Sequence, residues 1–141
     1  MPLEDVDANA VRARLFELVD DEGRVRARMA PRDDADSVGL EFYEPDGTVR
    51  LALGINLEGT TVIDLKDEAG LTRARLGVES AGTPTVFSLR NAADRLVAQI
   101  ALHDEESTAL TLSDEWGNRL IQVAVFGEGD ASIHVNDTEV R

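Results

Sequence analysis

Residues 40–53 read Leu40-Glu41-Phe42-Tyr43-Glu44-Pro45-Asp46-Gly47-Thr48-Val49-Arg50-Leu51-Ala52-Leu53. Leu40 and Phe42 alternate with polar or amphipathic neighbours, and so do Val49, Leu51 and Leu53. Period two on both sides of a Pro-Asp-Gly turn predicts a β-hairpin. Pro presets φ for the turn, and Gly accepts the left-handed position that other residues resist.

The same frame recurs along the chain. Its apolar–x–apolar opening stands at Phe16-x-Leu18, Leu40-x-Phe42, Ile63-x-Leu65, Phe87-x-Leu89, Leu110-x-Leu112 and Ile133-x-Val135, at steps of 24, 23, 24, 23 and 23 residues. Turn glycines follow at Gly23, Gly47, Gly70 and Gly117, with Asp94 in the fourth unit's place. A fixed period of this size marks a repeat architecture whose units bury their apolar faces against their neighbours. The sixth unit is cut short soon after Val135.

Face matching suggests a register. Residues opposite one another in a hairpin share a face of the sheet. A four-residue loop Glu44 to Gly47 sets Phe42 opposite Val49, Leu40 opposite Leu51 and Glu41 opposite Arg50. The same register gives Glu17–Arg26 and Asp64–Arg73 in the first and third units. A three-residue loop would instead set Phe42 opposite Arg50. In units four and five the charged pairs vanish: Ser88 faces Val97, and Thr111 faces Leu120. The resulting neutral outer face, with Val86, Val97, Gln99, Thr111, Leu120 and Gln122, is the candidate interface, because neutral patches on a charged surface mark contacts.

The expected fold is all-β: an antiparallel meander of about six ~23-residue hairpin repeats. Strands that are apolar on one side should curl over a shared core, as a barrel, a flattened barrel or a spiral sheet. A two-sheet β-solenoid is the alternative, since stacked parallel units would show the same period. Residues 1–10 form an N-terminal arm and 11–141 a single domain, with Arg12 to Val19 as the first strand.

At the level of apolar–x–apolar–x–acid–x–x–Gly–x–x–Arg, residues 16–126 resemble the tandem hairpin repeats of YD/RHS-type proteins. The tyrosine–aspartate pair of that family is absent here, and the Arg stands three after the Gly rather than beside it. The resemblance implies hairpins joined into a spiralling sheet, and it implies no activity.

Composition narrows the function. The chain of 141 residues carries 28 Asp and Glu against 14 Lys and Arg, a net charge of −14, and Lys66 is its one lysine. That balance excludes nucleic acid and anionic membranes as partners, because both need clustered cations. It resembles a halophile's surface. No cysteine is present, so disulfides and thiolate chemistry are absent. No signal peptide or membrane span is visible, so a cytoplasmic location is expected. His103 and His134 lie in different units and make no metal-ligand spacing. The acidic loops at Asp33, Asp34 and Asp36 and at Asp104-Glu105-Glu106 lack Ca²⁺-loop spacing. No catalytic residue, metal site or cofactor is expected. Trp116, at the tip of the fifth turn, is the candidate ligand-binding residue, since an exposed Trp stacks on a sugar or anchors a partner. The expectation is a non-catalytic structural or protein-interaction domain whose partner is itself or another protein, as a homo-oligomer. A small-ligand or carbohydrate-binding β-barrel is the alternative.

Overall fold

The repeat frame becomes strands in chain order. The structure, a computed structural model, describes residues 12–31, 38–55, 59–78, 85–102, 107–136 and 138–140. Its strands are β1 (Phe16–Val19), β2 (Val25–Pro31), β3 (Val38–Tyr43), β4 (Val49–Ile55), β5 (Thr61–Lys66) and β6 (Thr72–Val78). They continue as β7 (Thr85–Arg90), β8 (Leu96–Leu102), β9 (Thr108–Ser113), β10 (Arg119–Val125), β11 (Ala131–Val135) and β12 (Thr138–Val140). All twelve join one sheet in sequence order, and each neighbouring pair runs antiparallel. Among the described residues there is no α-helix. Antiparallel neighbours throughout exclude the parallel-stacked solenoid. The sheet is open, with β1 and β12 at its two ends, so it does not close into a barrel.

The five hairpin turns share one hydrogen-bond pattern. In the second, the Glu44 amide donates to the Thr48 carbonyl (2.9 Å) and the Gly47 amide to the Glu44 carbonyl (3.0 Å). The loop therefore holds three residues, and its last residue takes a positive φ: 89° at Gly47 and 59° at Asp94. Aspartate tolerates this region better than most side chains, so the fourth turn keeps its shape without glycine.

The four-residue loop expected from sequence is corrected here, and so is the register built on it. Tyr43 faces Val49, Phe42 faces Leu51, Glu41 faces Ala52 and Leu40 faces Leu53. Between the first two pairs the ladder skips Arg50. The other hairpins skip Arg26, Arg73, Val97 and Leu120 at the same place. Each is a β-bulge, an extra residue that strands accommodate by leaving it unpaired. Three loop residues plus one bulged residue shift the partners by two, which leaves every face as before. The expected pairs Glu17–Arg26, Glu41–Arg50 and Asp64–Arg73 therefore do not face each other. Glu17 faces Arg28, which also faces Glu41, and Asp64 faces Arg75.

The first strand is also shorter than expected, starting at Phe16 rather than Arg12. Phe16 pairs with Met29, so Arg14 would fall opposite Pro31. Proline has no N–H to give a ladder, and pairing stops short of it.

The shared core expected from curling is missing. Substantial contacts between elements are confined to adjacent strands. Among the described residues, the buried hydrophobic side chains are all alanines, Ala27, Ala52, Ala101, Ala109 and Ala124, and no large side chain is fully buried. The chain exposes 10464 Å². A compact monomer of its mass, 15.3 kDa, would expose about 7,100 Å².

Candidate interaction surfaces

The turns set the ends of both faces of the sheet. Asp67 Oδ1 accepts from the Ala69 and Leu71 amides (both 2.9 Å). Asp20, Asn91 and Asp114 repeat this arrangement in their turns. A side-chain acceptor at the first turn position satisfies amides that the ladder leaves over. The Leu71 amide, with the Arg73 guanidinium and the Ala69 amide, holds the Asp67 carboxyl below the usual carboxylate range against an opposing push from burial. At Asp114 the Asn118 side chain leads the same effect.

A pH dependence follows from this shift. A carboxyl depressed in the folded chain adds stability that is full above its unfolded pKa, about 3.9, and is lost as pH falls through the folded value. Asn91 shows that an amide serves the same amides without the charge. Asp67→Asn should therefore lower the urea midpoint near pH 7 and flatten its fall between about pH 5 and pH 2. Parallel midpoint curves for the variant and the wild type would contradict the assignment.

The bulged arginines tie hairpin to hairpin. Arg26 Nε donates to the Tyr43 carbonyl (3.1 Å), and Arg50 Nε to the Lys66 carbonyl (3.0 Å). Arg73 reaches one residue further, a terminal guanidinium nitrogen donating to the carbonyl of Asn91, just past the end of β7. Each also meets an acid of its own turn: Asp20 at 3.7 Å, Glu44 at 2.6 Å and, through Nε, Asp67 at 2.7 Å. A bulge re-aims a side chain out of the ladder, and here it aims a cation at the next hairpin's strand end. Where Val97 replaces the arginine, the link moves to the turn: Asn91 Nδ2 donates to the Glu115 carbonyl (2.9 Å), and Arg95 to the Trp116 carbonyl (2.8 Å).

One face of the sheet is polar. Its central row runs Glu17, Arg28, Glu41, Ala52, Asp64, Arg75, and then Ser88, Gln99, Thr111, Gln122 and His134. The Tyr43 hydroxyl donates to Glu41 Oε2 (2.6 Å), and burial together with this bond pushes its pKa up to about 12. The next row is small, with Gly39, Gly54, Gly77, Ala101, Ala109 and Ala124, and several of these lie buried in the lee of longer neighbours.

The structure brings four of the six candidate interface residues together. Gln99, Thr111 and Gln122 face one another along the polar row, and Val86 stands one row away opposite Ala101. All four are half-buried. Val97 and Leu120 are bulged residues near the turn end and do not face Ser88 and Thr111, whose partners are Gln99 and Gln122. Charge does vanish from this half of the polar row, although Arg119 bonds Gln122 from its margin (2.9 Å). Trp116 sits at its turn tip, 63% exposed. His134 faces Gln122. His103 and the acidic loops 33–36 and 104–106 lie outside the described residues. Among the described residues, no group of three His, Cys, Asp or Glu is placed to hold a metal. No helix there is long and apolar enough to cross a membrane.

The other face is apolar from end to end. One row runs Leu40, Leu53, Ile63, Leu76, Phe87, Ile100, Leu110, Val123 and Ile133 across nine strands. A second row beside it carries Phe42, Leu51, Leu65, Ala74, Leu89, Ala98 and Leu112. No protein-family model matches the chain, and no curated protein matches it. Apart from Arg119 at the turn end of β10, whose guanidinium bonds Gln122 of the polar row, every charged residue in the described part of β1 to β11 has the strand parity of the polar face. On the apolar face Ile63 is 41% exposed, Leu76 44% and Phe87 42%. Sequence reasoning marked these side chains as core. Residue alternation gives the face but not how far the sheet bends, and that bending decides whether one chain covers it.

Proposed function

We propose that this chain is a non-catalytic structural or protein-interaction β-repeat sheet that works as a self-associated assembly. The observation that supports this most is the uncovered apolar face. Contiguous apolar patches on monomers rarely exceed a few hundred Å², and a face spanning the whole sheet is far larger. A repeat array without caps needs association to cover what its terminal and lateral faces expose. The described clusters offer polar turns and arginine links rather than an arrangement of nucleophile, base and oxyanion donors. The open sheet encloses no lumen for a small ligand.

Self-association makes stability depend on concentration, because a partner that binds only the folded chain shifts the unfolding equilibrium. The thermal midpoint should rise with protein concentration. It should rise further from 0.05 M to 1 M salt, as the screening length falls to about 3 Å and repulsion between two chains of charge −14 weakens. A midpoint independent of concentration over a hundredfold range would refute the reading.

A further inference from the structure

We infer that the apolar face is covered by the same face of a second copy, giving a two-layer β-sandwich with one sheet from each chain. The inference rests on the self-association proposed above and names its surface and its partner. The polar face, including the neutral set around Gln99, then points outward on both sides.

Size supports this partner. Twelve strands at about 4.8 Å spacing, each near six residues at about 3.3 Å, make a face of roughly 1,100 Å². Two such faces bury about 2,200 Å², within the range of obligate homodimers, whose interfaces resemble a core cut in half. Charge supports it too. Each chain carries −14, yet the only charged residue of the described part of β1 to β11 with this face's parity is Arg119 at the turn end of β10, whose guanidinium is bonded to Gln122 of the polar row, so two copies meet without burying an unpaired ion. A charged ligand would find nothing there to pair with. Shape agrees as well. Both faces carry the same rows of Leu, Ile and Phe at the strand spacing, and an isologous contact needs one patch that complements itself. Stacked sheets pack about 10 Å apart with inner side chains interdigitating.

The test combines mass with footprinting of the wild-type chain. Light scattering should return twice 15.3 kDa at micromolar concentration. Hydroxyl-radical labelling should then find Leu76 and Phe87 protected at least about fivefold relative to a diluted sample, with Trp116 unchanged, since sandwiched side chains lose solvent contact. Leu76→Asp should raise the dimer dissociation constant more than about 100-fold, because it buries an uncompensated charge. Gln99→Arg should leave it within about threefold, as rim and outward charges do. A dimer with Leu76 and Phe87 unprotected, or one broken by Gln99→Arg and not by Leu76→Asp, would overturn the stacking while self-association stands. A mass of one chain at every concentration would overturn both. Footprinting needs no variant, so a Leu76→Asp chain that does not fold leaves the result decided.

Discussion

Gly54→Ala is expected to cost about 3 kcal/mol, the upper end of what overpacking usually costs. A Cβ at this position would fall 2.3 Å from the Val38 carbonyl oxygen and 3.0 Å from the Gly39 Cα. Both atoms are backbone, so no side-chain rotation relieves the clash. Gly54 stands opposite Gly39 on one side and Val62 on the other, and glycine within a strand often marks such a close approach. Gly77 is the control. It lies in the same small row, and a Cβ there would meet nothing within 4 Å. Its φ lies outside the left-handed region, so Gly77→Ala should be neutral or stabilising by up to about 1 kcal/mol through the unfolded chain. Urea unfolding of the two variants checks the contrast, and equal midpoints would remove the close approach as its cause.

Arg75→Ala is expected to cost about 2 kcal/mol, discounted from the 3–5 kcal/mol of fully buried pairs because the arginine is half exposed. Asp64 is 7% exposed. Arg75 grips it through both nitrogens, Nε to Oδ1 at 2.7 Å and one terminal nitrogen to Oδ2 at 2.8 Å. On its other side Asp64 faces Ala52, which offers no donor. Removing the arginine strands a shielded carboxylate, whereas removing Asp64 leaves a guanidinium that water can reach. Asp64→Ala should therefore cost less, and the double variant less than the sum of the two. A double-mutant cycle measures that coupling. Strict additivity would mean that the pair holds nothing together.

Much of this was readable from local pattern. Alternation at Leu40-Glu41-Phe42 and Val49 to Leu53 placed the strands, because side chains in a strand alternate faces whatever their partners. The spacing of Gly23, Gly47, Gly70 and Gly117 placed the turns, because their positive φ is a property of single residues. The loss of charge in units four and five was also visible, although Gln99 and Gln122, rather than Val97 and Leu120, carry it in the polar row. Register escaped. Alternation is blind to the residue that leaves the ladder: Arg50 reaches a carbonyl 16 residues away, yet Val97 and Leu120 bulge at the same place without such a bond. The arginine's recurrence three residues after glycine, with an acid at the head of each turn, was the clue.

By itself, the sequence determined the strands, the turn positions and the division into one apolar and one polar face. Each of these depends on periodicity and on residues close in the chain. The choice of an antiparallel meander over a stacked solenoid came from the pairing of the strands. The tertiary structure alone decided which residues oppose one another, because a shift of two preserves every face and only the three-residue loop with its bulge chooses between registers. It alone decided that the sheet stays open, with Leu76 and Phe87 exposed. Hydrophobic pattern dictates that a face must be covered, but whether one chain can cover it depends on how far its sheet bends.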